Sequence, residues 1–198
     1  MNVFNGWRNK KAENRIVEDS KPADPKTVEV DRTMQNGFAE LCLTHVNDEA
    51  QKKIVFKKGL EDFIQLLRDS RLQYVAVNLS AKELLLGTVL VRLEDQQRKR
   101  HRIGEFIITL AVAAKTYTFH NLTPFVSQEW SESYHHPHMN PKGHMCITSG
   151  SERIKAAIAD GDLLQACHML LTVVFTVNEV GQYVAANVRH WPLDETQE

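Results

Sequence analysis

A chain of 198 residues with 42% hydrophobic and 25% charged residues holds enough apolar material for one buried core plus extensions. Its 24 basic and 25 acidic side chains leave a net charge of -1, a balance whose overall field selects neither nucleic acid nor an anionic membrane as partner. Three scattered cysteines, Cys42, Cys146 and Cys167, exclude a disulfide framework and fit a reducing compartment. The apolar runs 106–114 and 169–177 fall short of the roughly 20 residues that span a bilayer. No secretory pattern opens the chain, so the expected location is the cytoplasm.

Residues 1–35 read as a flexible polar extension, because the run from Glu18 to Lys26 is charged and interrupted by Pro22 and Pro25. Such a run buries too little apolar surface to offset the entropy of ordering it. Phe4 and Trp7 near its start offer a docking anchor for a partner, beside the plainer reading of a tail that merely touches the domain or floats. Residues 37–56 suit helix or strand equally. From Leu60, the spacing of Phe63, Ile64 and Leu67 predicts an amphipathic helix over 60–69. The pattern then changes to four β-prone runs, 72–79, 84–93, 103–112 and 116–122, joined by connections too short for parallel crossovers. They predict a four-stranded antiparallel meander, with Arg98-Lys99-Arg100-His101-Arg102 as a solvated basic tip on the second hairpin. Farther on, Ser151 is the expected cap of a short helix ending at Gly161. Asp162, with Gln165 after it, starts a second helix whose apolar face carries Leu163, Ala166, Cys167, Leu170, Val174 and Val177. The fold class is α+β.

Between the meander and these helices lies Tyr134-His135-His136-Pro137-His138-Met139-Asn140-Pro141-Lys142-Gly143-His144-Met145-Cys146-Ile147. Pro137 and Pro141 forbid a regular helix there, and Gly143 permits a left-handed turn. The segment therefore reads as a bent loop that brings Cys146 beside imidazoles. Cys42 and Cys167 sit among apolar neighbours and read as core, because free cysteine behaves as a small apolar residue.

The order of helix, four-strand meander, loop with His-Pro and cysteine, then apolar helix resembles the catalytic domain of the ubiquitin-conjugating enzymes, in its divergent prokaryotic branch. The signature carried over is His136-Pro137-His138, Gly143, then Cys146-Ile147, with Pro124-Phe125 upstream where the family has a proline-rich run. The resemblance covers about residues 58–178 and implies a domain over 36–198. It implies that Cys146 accepts a ubiquitin-like modifier as a thioester from an adenylating activating enzyme and passes it to a lysine-bearing acceptor. His138 stands where the family has asparagine, which implies a role as oxyanion donor, and His136 becomes a structural residue fixing the turn. No cofactor, nucleic acid or membrane partner is implied. A bacterial or phage-defence setting follows from the resemblance alone. The family's Trp-Ser-Pro after the cysteine is absent, and its acidic residue has Asp160 and Asp162 as stand-ins, both of which helix capping explains equally well.

The residues support that chemistry on their own terms. A thiol of ordinary pKa, about 8.5, is only partly ionised at neutral pH, and neighbouring cationic imidazoles favour the thiolate. Attack by an amine on the thioester then leaves an oxyanion, which a fixed donor such as His138 stabilises. Two other readings stand beside it. His136, His138, His144 and Cys146 form a nitrogen and sulfur set suited to tetrahedral zinc, although at unusually short spacing. Alternatively, the histidines only fill turns, and the domain is a non-catalytic binding module.

Overall fold

A computed structural model of the chain describes residues 31–123, 125–126, 133–134, 136–137, 150–176, 188–189 and 191–195. Helix α1 spans Arg32–Cys42 and begins inside the segment read as polar extension; residues 1–30 lie outside the described set. Its start is set by Asp31, whose carboxylate accepts from the N–H of Thr33 at 2.8 Å and of Met34, satisfying donors that the first helical turn leaves orphaned. Phe38, Leu41 and Cys42 form its buried face. Helix α2 spans Glu49–Leu67, capped by Asp48 through the N–H of Gln51 at 3.0 Å. The expected helix over 60–69 therefore starts at Glu49, and Gly59 lies in its interior instead of marking its beginning.

Gly59 is where α1 and α2 touch. A Cβ there would stand 2.9 Å from Ala39 Cα and 3.3 Å from Cys42 Sγ, so only glycine lets the two backbones approach this closely. Beside this contact the rings of Phe38 and Phe63 lie 5.5 Å apart at 45°, a separation favourable for tilted aromatic pairs.

The four-stranded antiparallel sheet is present, in the order β1-β2-β5-β6, with β1 Leu72–Asn78, β2 Glu83–Thr88, β5 Phe106–Ala111 and β6 Thr116–Asn121. Register pairs Val77 with Leu84, Leu84 with Leu110, and Leu110 with Tyr117, so alternate residues of every strand share the core face. The two middle runs do not continue unbroken. The first breaks near its midpoint and the second near its start, at Glu105, and β3 Val91–Glu94 and β4 Arg100–Gly104 pair as a separate antiparallel ribbon. Buried polar side chains satisfy the backbone at the break: Thr88 Oγ1 accepts from the N–H of Phe106 at 2.9 Å, and Asn121 Nδ2 donates to the carbonyl of Ile103 at 3.0 Å. Two short strands, β7 Phe125–Val126 and β8 Ser133–Tyr134, pair with each other beyond β6.

Helix α3, Gly150–Ala159, already includes Ser151, which therefore lies inside the helix and not at its cap. It ends as the sequence predicts at Gly161, whose φ of +75° is the left-handed conformation glycine takes at little cost. The N–H of Asp162 bonds the carbonyl of Ala157 at 2.8 Å and that of Gly161 bonds Ile158 at 3.2 Å, closing a Schellman motif. Asp162 then caps helix α4, Leu163–Phe175, accepting from the N–H of Gln165 at 3.2 Å. Leu163, Ala166, Cys167, Leu170 and Val174 are buried as predicted; α4 stops at Phe175, and Val177 lies outside the described residues. These residues join α1, α2 and the inner sheet face in one core. No helix among the described residues is long and apolar enough to cross a membrane.

Candidate functional site

Of the residues that the sequence nominates for chemistry, His136 is described, together with Pro137; His138, His144 and Cys146 lie outside the described residues. His136 is fully buried at 0% exposure. Its Nε2 stands 3.0 Å from the carbonyl oxygen of Val174. A carbonyl can only accept, so Nε2 is the donor and the ring carries its proton there. Val174 belongs to the last turn of α4, where carbonyls have no intrahelical partner, and the imidazole closes one of those open positions. The ring also meets Phe106 edge-on, with centroids 5.8 Å apart and planes at 74°. Phe106 opens the inner strand β5, so His136 sits at the joint between the sheet and α4. Pro137 beside it is also buried. Between Pro137 and Gly150, where α3 begins, the sequence contains His138 and Cys146.

The other two thiols are poor candidates for nucleophiles. Burial pushes the Cys42 thiol up to about 12, and pushes that of fully enclosed Cys167 up further. Both are therefore neutral at physiological pH and serve packing.

A groove of about 480 Å³ runs along α3 and α4 from Gly150, with Ile154 and Met169 in its floor and Lys58, Arg153, Asp162 and His168 around it. Lys58 is a tied cation. Burial alone would lower its pKa, but hydrogen bonds to Asp62 and to Asp162, the latter at 3.2 Å, hold the ammonium above its ordinary range. Asp162 thus caps a helix and pairs with Lys58, while Asp160 is exposed. Among the described residues no group of three or more His, Cys, Asp or Glu is arranged to hold a metal ion. His136 Nε2 already serves Val174, so the zinc set read from the sequence would have to draw on that ring's other nitrogen.

One cluster escaped the sequence reading. His101, placed there in a solvated basic tip, is 2% exposed. Its Nδ1 lies 2.7 Å from the carbonyl of Trp191 and its Nε2 3.1 Å from Asp95 Oδ2. Both nitrogens face oxygen atoms, so the ring bridges the Asp95 turn and the Trp191 backbone. The signal was present in the alternation of Arg100, His101, Arg102 and Ile103, since a strand that turns Ile103 inward turns His101 inward too. Comparisons with known proteins give no further guide: no family model, curated protein or solved structure matches the chain.

Proposed function

We propose that the protein is a ubiquitin-conjugating-like acyl carrier, in which Cys146 accepts a ubiquitin-like modifier as a thioester and passes it to an acceptor amine. The observation carrying this reading is the His136-Pro137 turn, buried and tied to the end of α4 beside an inner strand of a four-stranded antiparallel sheet. A loop that must deliver a thiol and an oxyanion donor reproducibly needs such a fixed point of departure, because small misplacements cost rate steeply. The burial of Cys42 and Cys167 adds to it by leaving Cys146 as the thiol without an established packing role.

In the proposed reaction the Cys146 thiolate attacks the thioester of a charged activating enzyme, the new C–S bond forms, and the enzyme's thiolate leaves. Thiol exchange needs little stabilisation. In the second step a neutral lysine amine attacks the carbonyl, an oxyanion forms, and collapse expels the Cys146 thiolate while the nitrogen loses a proton to water, leaving an amide. His138 donates to that oxyanion in this scheme.

The test is a charging assay with a candidate activating enzyme, its modifier and ATP. A thiol-labile adduct that vanishes in Cys146→Ala is the expected result, and an adduct unchanged in that variant would refute the assignment. His138→Ala should charge normally yet discharge to lysine about 10²-fold more slowly, the usual effect of removing one oxyanion donor.

A further inference from the structure

At the far end of the β3–β4 ribbon, its turn together with Arg189 and Leu193 borders a pocket of about 240 Å³, lined by Asp95, Gln96, Gln97, Lys99, His101, Arg189 and Leu193. The chain around Leu193 is seated by backbone: the N–H of Arg102 donates to the carbonyl of Pro192 at 2.8 Å and that of Asp194 to the carbonyl of Arg100 at 3.0 Å. The acidic charge in the lining is already engaged. Asp95 Oδ1 accepts from the N–H groups of Gln97 at 2.7 Å and Lys99 at 2.9 Å, and Oδ2 faces His101. The neighbouring acids are engaged as well, Glu94 with Arg100 at 3.3 Å and Asp194 with Arg92. Lys99 and Arg189 are left lining the pocket, and among the described residues neither has an ionic partner.

We infer that this pocket is an oxyanion-binding site, taking one phosphate or carboxylate group between Lys99 and Arg189 with the side-chain amides of Gln96 and Gln97 as further donors. Two cations bordering one small cavity repel each other, and a bound anion reverses the sign of that interaction. The planar fork of Arg189 matches two oxygens of either group, and Lys99 supplies a point charge. Size narrows the ligand: the cavity is smaller than the roughly 300–1,000 Å³ of sites for drug-sized molecules. It therefore suits a single oxyanion group or the anionic end of a larger ligand. The acidic group in the lining is compatible with the same reading, because both Asp95 oxygens are already taken up, by the N–H groups of Gln97 and Lys99 and by His101. The inference is independent of the thiol chemistry proposed for Cys146.

Calorimetric titration of the full chain with inorganic phosphate, and separately with acetate, at ionic strength held constant with sodium chloride tests it. Saturable binding of at least one of the two is expected, and comparing them shows which oxyanion geometry is preferred. The double variant Lys99→Ala/Arg189→Ala should weaken that binding at least about tenfold, as befits two lost charge-assisted contacts. Arg98→Ala/Arg102→Ala removes the same charge from exposed positions outside the lining and should bind within about twofold of the parent. Failure of both anions to saturate, or equal weakening in the two double variants, overturns the site in favour of diffuse attraction by the basic ribbon. Both pairs lie on the surface, and circular dichroism confirms that each variant is folded before titration.

Discussion

The His136 imidazole has a task independent of any reaction, since it closes an open carbonyl of α4 and fills space against Phe106. His136→Ala would leave the Val174 oxygen without that donor and open a cavity at the joint. A loss of about 2–4 kcal/mol in urea denaturation is expected. If His136 serves only to hold the turn, the folded variant should show slower charging of Cys146 with the pH dependence of charging unchanged; a shifted pH profile would mean the ring takes part in proton transfer. The thiols give a second prediction at this scale. With Cys42 at 1% exposure and about 12, and Cys167 enclosed and raised further, a disulfide reagent at neutral pH should react with one thiol quickly in the native protein and with all three only after denaturation. Cys146→Ala should abolish the fast phase, and a fast phase that survived it would remove the carrier reading.

At the scale of elements, Gly59 and Asp162 show where sequence periodicity misleads and where it suffices. Alanine is the better helix former by about 1 kcal/mol, yet Gly59→Ala should lower stability by about 1–3 kcal/mol, because the added methyl meets the α1 backbone at Ala39. A thermal shift upward in that variant would show that α1 yields and that the close contact is not required. Gly59 misled the sequence reading for the same reason: a glycine demanded by a partner helix looks locally like a helix boundary. The start of α1 was hidden because capping Asp31 lies in a polar run, and only tertiary contacts reveal which side of it is packed. The α3–α4 junction was legible, since Gly161 and Asp162 are local signals whose chemistry works without distant partners. The meander was legible from its runs and short connections, but not the split of its middle runs into sheet and ribbon. That split depends on Thr88 and Asn121 reaching backbone groups on other strands, which no periodicity reports. Of the candidate site, the structure describes only His136, whose structural role in fixing the turn was legible; the inward turn of His101 was legible from strand alternation, whereas its bond to Trp191 joins residues too far apart in sequence to be paired by reading.

Across the whole molecule, two carboxylates held in their ionised form, Asp69 and Asp95, set part of how the fold responds to acid. Hydrogen bonds from Arg71 hold the Asp69 carboxyl below its ordinary 3.8, against the effect of burial. Burial would raise Asp95, but His101 and the N–H groups of Lys99 and Gln97 outweigh it and hold that carboxyl low as well. A carboxylate with a lowered folded pKa contributes its full stability above the unfolded value, near 3.8, and loses it as pH falls through the folded value. Urea midpoints should therefore be insensitive to these two groups between about pH 5 and 7 and decline below about pH 4. Asp95→Asn should flatten part of that decline while lowering stability at neutral pH, because a neutral amide is a weaker acceptor for the N–H groups of Gln97 and Lys99 and for the His101 ring. Its effect should also reach beyond the turn: His101 holds the Trp191 carbonyl, and Trp191 is buried beside the ribbon. Hydrogen exchange in Asp95→Asn should then accelerate at Arg102 and Asp194, whose N–H groups bond across that junction. Exchange unchanged there, with the neutral-pH stability lowered, would mean that Asp95 supports its own turn and does not fasten residues 191–194 to the ribbon.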